Sequence, residues 1–451
     1  MAPKQRLSTI SYLPLEIIVD ILLRLPLKDL IRFMCVCKAW NTTIHNEKFI
    51  EAYHRRPMKT NNSRTIVLVP CSSSSGDFCF SVSLDDRDAF GNAVRIEKPP
   101  LRYPDKATIM LGCCNGLVCI NNIHDRDCAI WNPSIRRFKR IPFTTIEQPA
   151  EAEVEVMRFP MFGLGYDSTN DDYKIVRVVL FRKSGMADEV CSEVKIYSLK
   201  SNSWKKIQNL PSNDLRMYVS PITTLQGALT FLNGALHWLM RHKLDGNMKR
   251  LVSLDLATEQ YNEFPCPPVN TDRNTNLTLH VLGGYLCVCV IPAGDVVYIW
   301  GSRQNDVWIM REYGVAASWT RLYTIEEGGP AMPRRFRYCK PLAFSNTGEM
   351  VLLENAPGQI MFWYDYLQQK RGKQVDMPSP RSRCSFLPAI CVENLHLLDG
   401  DPVTVTVGRQ QQQVLPSWIL FFQTIARGRE ARCKRSISNE LRPGARMLKL
   451  F

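Results

Sequence analysis

A strand, a short polar turn and a second strand carrying an aromatic residue recur along this chain, and the recurrence limits its fold more than any other feature. Ile130-Trp131-Asn132-Pro133-Ser134 leads to Phe138 and Ile141-Pro142, and Ile196-Tyr197-Ser198-Leu199 leads to Trp204, Ile207 and Pro211. Ser253-Leu254-Asp255-Leu256 leads to Tyr261 and Phe264-Pro265. Paired positions stand seven apart: Trp131 and Phe138, Tyr197 and Trp204, Leu254 and Tyr261. Looser copies run from Val307-Trp308-Ile309-Met310 to Trp319 and Leu322-Tyr323, and from Met361-Phe362-Trp363-Tyr364 to Val375. Successive copies lie about 55–65 residues apart, the length of a four-stranded propeller blade with long loops.

The segments between copies supply a second strand pair. Gly163-Leu164-Gly165-Tyr166-Asp167 and Tyr173 to Val179 flank a turn at 168–172, and 228–239 turns at Asn233-Gly234, the strongest short hairpin signal. Leu342-Ala343-Phe344 and Met350 to Leu353 flank Asn346-Thr347-Gly348 in the same way. From about residue 64 to 400 there is no long helical stripe, only Val/Ile/Tyr/Phe/Trp runs parted by turn residues. Units that cannot bury both faces alone must stack, and closing the ring removes exposed edges. A β-sandwich competes, but regular recurrence over some 300 residues favours a propeller of about six blades.

The first part of the chain has a different period. Pro14 suits a first helical turn and Glu16 sits near the positive helix start. Ile17, Ile18, Ile21, Leu22 and Leu25 form one apolar stripe, and Pro26 ends that helix and opens the next. Leu27, Leu30, Ile31 and Met34 repeat the pattern, and a third follows Trp40-Asn41 with Ile44, Phe49, Ile50 and Tyr53. So small a segment cannot bury that much apolar side chain by itself. The surplus packs on the rest of the protein or on a partner.

Leu13-Pro14-x-Glu16, Arg24-Leu25-Pro26 and Val36-Cys37-Lys38-x-Trp40 resemble the F-box family in order and spacing, over roughly residues 10–55. That resemblance implies docking on the Skp-type adaptor of a cullin-based (SCF) ubiquitin ligase. Carried over by position, Leu13, Pro14, Glu16, Ile17, Ile18, Ile21 and Leu22 belong to the adaptor-facing helix start. Leu25, Pro26, Leu30, Val36, Cys37 and Trp40 shape the module and part of its interface. Periodicity leaves open which of them bury inward. Gly112 to Ile120, Trp131-Asn132-Pro133-Ser134, Gly163 to Asp167 and Asn233 to Trp238 resemble the F-box-associated domain of plant F-box proteins, which is kelch-like in its blades. It implies substrate capture but assigns no substrate-contacting residue. The paired-glycine signature of kelch blades is missing.

Charge and cysteine narrow the function classes. Of the net +14, residues 1–60 hold +5 and 401–451 hold +6, leaving +3 for 61–400. The large domain is nearly balanced, so nucleic acid is not an expected partner. The 16 cysteines form no C-x-x-C pair, and apolar flanks at Cys35-x-Cys37 and Cys287-x-Cys289 favour buried thiols over ligands. Of three N-x-S/T sequons, Asn41 falls inside the helical module and reads as a helix cap. No apolar run is of signal-peptide or membrane-spanning type.

No G-x-S-x-G, Walker-type loop or H-E-x-x-H is present. His237 reads as structural, Asp85-Asp86 and Asp171-Asp172 as turn formers, and Trp131, Trp204, Trp238 and Trp363 as packing between blades.

The expected architecture is α+β multidomain. A flexible N-terminus (1–9) precedes a three-helix F-box module (10–55), a connecting segment with the first propeller strands (56–100), an all-β kelch-like propeller (101–400) and a basic, partly disordered tail (401–451). The expected function is a non-catalytic substrate receptor, with no cofactor or metal, in the nucleus or cytoplasm and off the membrane. Its partners are the Skp-type adaptor, the cullin and RING subunits reached through it, and an unknown protein target on the propeller loops. An adaptor-binding scaffold and a propeller-type carbohydrate-binding protein are the alternatives.

Overall fold

The computed structural model describes residues 14–398 apart from 26, 56–63, 71–77, 85–92, 98–99, 102–107, 123–126, 148–153, 157–159, 184–189, 211–214, 218–228, 243–248, 270–274, 293–303, 327–338, 356–359, 375–385, 393 and 397. The chain forms two units, Met1–Pro57 with Leu395–Phe451, and Met58–Asn394.

In the first unit the structure shows four short helices where the pattern suggested three: α1 (Leu15–Leu23), α2 (Leu27–Phe33), α3 (Lys38–Ile44) and α4 (Glu47–Arg55). The third apolar pattern breaks at His45-Asn46. The His45 N–H closes α3 on the Asn41 carbonyl, and the Asn46 side chain accepts the Lys48 N–H at 3.0 Å to open α4. Asn41 is therefore interior to α3 and caps nothing; the N-cap is Cys37, extended and without a side-chain bond. Leu22, Leu27, Leu30, Met34, Ile44, Phe49 and Tyr53 fill the core, joined by Leu395 from beyond the propeller.

The second unit is a six-bladed propeller. Blade I comprises β1 (Arg64–Pro70), β2 (Phe78–Leu84), β3 (Val94–Glu97) and the last strand, β26 (Phe386–Val392), which pairs antiparallel with β1. Blade II is β4 (Thr108–Cys114), β5 (Leu117–Asn122), β6 (Asp127–Asn132) and β7 (Arg137–Ile141). Blade III runs from β8 (Val154–Val156) and β9 (Met161–Asp167), both paired to β10 (Asp172–Lys183), through β11 (Val190–Ser198) to β12 (Ser203–Lys206). In blade IV, β13 (Leu215–Met217) and β14 (Thr230–Leu232) both pair β15 (Ala235–His242), followed by β16 (Lys249–Asp255) and β17 (Tyr261–Phe264). Blade V is β18 (Thr275–Leu282), β19 (Tyr285–Pro292), β20 (Gln304–Met310) and β21 (Trp319–Glu326); blade VI is β22 (Cys339–Phe344), β23 (Met350–Asn355), β24 (Ile360–Asp365) and β25 (Lys370–Gln374). Pairing the first and last strands of the unit closes the ring, so no inner blade is left without a neighbour.

The seven-residue spacing has a simple cause. Asn132 pairs with Arg137 across a four-residue turn, which sets Trp131 opposite Phe138; the same register sets Tyr197 opposite Trp204, Leu254 opposite Tyr261 and Tyr364 opposite Arg371. In three of these turns the last strand residue is Asn or Asp, and its Oδ1 accepts the N–H two residues on: Ser134 to Asn132, Ala257 to Asp255, Leu367 to Asp365. The fourth turn residue then takes positive φ, at Arg136, Asn202, Glu259 and Gln369. Asn233-Gly234 turns with both φ positive, as a tight hairpin demands.

Packing between blades is close-fitted. A Cβ on Gly163 would lie 2.7 Å from Leu229 Cβ, which is why this inner strand tolerates no larger residue there. Trp131, Trp238 and Trp363 are buried, and Trp204 is half-buried with its indole N–H on the Pro142 carbonyl at 2.7 Å. Asp85-Asp86, Val375 and the 401–451 tail lie outside the described residues.

Candidate functional site

On the helical module the apolar surplus divides into two sets. Leu22 and Leu30 are fully buried, so they hold the module together and offer nothing to a partner. Ile18, Leu25 and Trp40 are half-buried; Trp40 meets Phe33 edge-on at 5.4 Å, and the Leu25 carbonyl accepts the Tyr53 hydroxyl. Pro14, Glu16, Ile17, Ile21, Val36 and Cys37 are exposed, together with Leu15, which the sequence reading did not select. Leu13 and Pro26 lie outside the described residues.

Positions 14, 17 and 21 recur at one helical face. Leu15, Ile17, Ile21 and Val36 are 53%, 46%, 46% and 59% exposed, an unusual concentration for a module whose own core is already filled. Covering their exposed halves would contribute about 1 kcal/mol each. Cys35 and Cys37 are also exposed, against expectation, because the turn after α2 faces them outward; Cys287 and Cys289 are buried.

Among the described residues of the propeller one thiol and one imidazole come together: in blade V the Cys289 thiol bonds to His280, whose Nε2 meets the Thr278 hydroxyl at 2.9 Å, and all three side chains are buried, so the cluster is closed to a substrate. His237 is buried at a strand pair. Its Nε2 meets the Tyr313 hydroxyl at 2.8 Å, Nδ1 lies 3.2 Å from the Thr230 carbonyl, and burial pushes its pKa down to about 4. It is a neutral packing residue near pH 7. Asp167 is held below the usual carboxylate range: burial opposes ionisation, but hydrogen bonds from Asn170 and Lys174 outweigh it. Asp172 accepts the Ser198 hydroxyl and the Lys200 N–H, a turn-forming role.

The sequence reading missed a buried ionic network in blade III. Arg177 Nη2 donates to Glu193 Oε1 at 2.6 Å and to the Thr145 carbonyl at 2.8 Å, while Nη1 donates to the Thr144 carbonyl at 2.7 Å. Lys195 reaches Glu147 at 2.6 Å and the Thr145 carbonyl at 3.1 Å, and the Glu147 N–H donates to Glu193 Oε2. The available signal was three charged residues, Arg177, Glu193 and Lys195, inside long apolar strands.

The described turns joining a blade's first to second and third to fourth strands lie at one end of the sheets and hold two to five residues, except the eight residues 311–318 between β20 and β21. Among the described residues no helix is long and apolar enough to cross a membrane.

Two family models match the chain, an F-box domain over residues 10–51 and an F-box associated beta propeller domain over residues 79–394. "F-box protein CPR1" of Arabidopsis thaliana is 31% identical over 413 residues, 89% of this chain and 92% of that protein. "F-box protein At4g22390" of the same plant is 27% identical over 414 residues, covering 89% and 94%. "F-box/kelch-repeat protein At3g23880", also from Arabidopsis thaliana, is 28% identical over 352 residues, covering 78% and 87%.

Proposed function

We propose that this chain, which belongs to the plant F-box proteins carrying an F-box-associated β-propeller, is a substrate-recognition subunit of an SCF-type ubiquitin ligase. The F-box implies a Skp-type adaptor as partner, and cullin and RING subunits are reached through it. The propeller holds a target protein in the nucleus or cytoplasm. Catalysis belongs to other subunits; this chain contributes position, raising the effective concentration of target lysines near the charged conjugating enzyme.

The observation that carries the reading is the exposure of four large apolar residues, Leu15, Ile17, Ile21 and Val36, on a module whose interior is already occupied. A carbohydrate platform is not favoured, because Trp131, Trp238 and Trp363 are buried. The test is Ile17→Asp with Ile21→Asp in the full-length chain, assayed by pull-down of the adaptor and by circular dichroism. Both side chains are exposed, so the fold is retained and binding falls by at least tenfold, about 1.4 kcal/mol. Undiminished binding by the folded variant rejects the interface. Binding without adaptor-dependent ubiquitination of any target favours the scaffold reading instead.

A further inference from the structure

The connection from blade II to blade III, residues 142–147, is held by more polar structure than a surface loop requires. Five hydrogen bonds end on its backbone: Trp204 to the Pro142 carbonyl, Arg177 to the Thr144 and Thr145 carbonyls, Lys195 to Thr145, and the Glu147 N–H to Glu193. Arg177, Glu193 and Lys195 are all at most 5% exposed. Burying three ionic groups is costly, and a packed apolar cluster would stabilise the sheet at least as well. What the network supplies beyond cohesion is a fixed loop backbone. Between the fixed points Phe143 and Ile146 remain 54% and 38% exposed. An apolar pair displayed on a rigid backbone meets the requirements of an interface anchor, since the backbone has little ordering entropy left to lose on binding.

The surroundings select the partner's charge. Residues 137–147 and 203–206 carry Arg137, Lys139, Arg140, Lys205 and Lys206 against Glu147 alone. Arg140, Lys205 and Lys206 sit in half-exposed pairs with Asp127, Glu259 and Glu147. Such pairs are weak and exchange readily for an incoming carboxylate. Trp204 is half-buried with the Arg177 guanidinium over its ring, so its indole is not offered for base stacking.

We propose that 142–147 is a preformed docking site for an acidic polypeptide segment of the target, with Phe143 and Ile146 as its apolar anchors. The proposal rests on the receptor reading and names the partner chemistry of its propeller.

The probe is a fluorescein-labelled pool of short Asp/Glu-rich peptides with one central Leu, Ile or Phe, titrated with the full-length chain and followed by anisotropy. A matched Lys/Arg pool and a labelled single-stranded RNA are run beside it. The acidic pool should bind at least about tenfold tighter than the basic pool, and Phe143→Asp with Ile146→Asp should weaken it by about tenfold or more without moving the thermal midpoint. Should that variant unfold, Phe143→Ser with Ile146→Ser replaces it. Glu193→Gln, which cannot touch the peptide, should weaken binding several-fold by loosening the loop. No acidic preference, insensitivity to the loop substitutions, or RNA binding that depends on Phe143 and Ile146 would each overturn the proposal. Adaptor pull-down from the same preparation separates the two readings: adaptor retained with no peptide bound rejects only the docking site, and the reverse rejects only the ligase role.

Discussion

Leu395 follows the whole propeller in sequence, yet it is 1% exposed in a core with Leu22, Leu30, Ile44 and Phe49. Replacing a buried leucine by alanine removes its transfer free energy and leaves a cavity, a loss of about 2–5 kcal/mol. Domains hold about 0.05–0.15 kcal/mol per residue, roughly 2.5–7.5 kcal/mol for a module of about 50 residues. Leu395→Ala therefore consumes much of what holds the four helices. A loss of about 3 kcal/mol lowers the folded-to-unfolded ratio on the order of a hundredfold. The assay is native-state hydrogen exchange at the Met34 and Ile50 amides, which bond to the Leu30 and Asn46 carbonyls inside the module. Both should exchange on the order of a hundredfold faster in Leu395→Ala, while amides of β10 in the propeller keep their protection. Ile21→Ala, at an exposed position, should change neither. Helical protection unaltered by Leu395→Ala but removed by Leu22→Ala would refute the assignment of Leu395 to this core.

Two further outcomes are expected. Glu193→Ala strands the buried Arg177 and should cost about 3–5 kcal/mol, whereas Arg177→Met with Glu193→Leu should recover most of it; equal denaturant midpoints for the two variants would refute the pairing. His237, with its pKa depressed to about 4 by burial, binds fewer protons folded than unfolded between that value and its ordinary 6.5. Its stabilisation is therefore complete above pH 6.5 and is lost as pH falls toward 4, a decline of about 2 kcal/mol between pH 7 and pH 5. His237→Gln should flatten that part of the stability profile, and an unchanged pH slope would contradict the buried neutral state.

Much of the propeller was readable because its signals are local. The four-residue turn, the Asx bond that starts it and the positive φ that ends it all lie within a few residues, so their imprint recurs at Trp131–Phe138, Tyr197–Trp204 and Leu254–Tyr261. Less was readable where neighbours along the chain part company. Ile21 and Leu22 differ by one helical step, yet one is half exposed and the other sealed. A helical stripe broader than its core cannot say which edge is covered. Cys35 and Cys37, expected inside because their neighbours are apolar, face outward for the same reason: apolar flanks record composition, while burial records what packs opposite. Arg177 and Lys195 sit at strand positions where charge ordinarily marks a solvent face, and only the loop laid over them makes that face an interior.

The helical and strand periods and the repeated turn are legible along the chain, because each depends on backbone hydrogen bonds and side-chain spacing over less than ten residues, and the family is legible from the order of such short motifs between Leu13 and Trp40 and along the propeller. Tertiary structure alone decided that the last described strand closes the ring on the first, that Leu395 belongs with the helices, and which of their apolar residues remain for a partner. Burial is a property of pairs of surfaces, and those surfaces come from segments whose separation along the chain carries no record of their meeting.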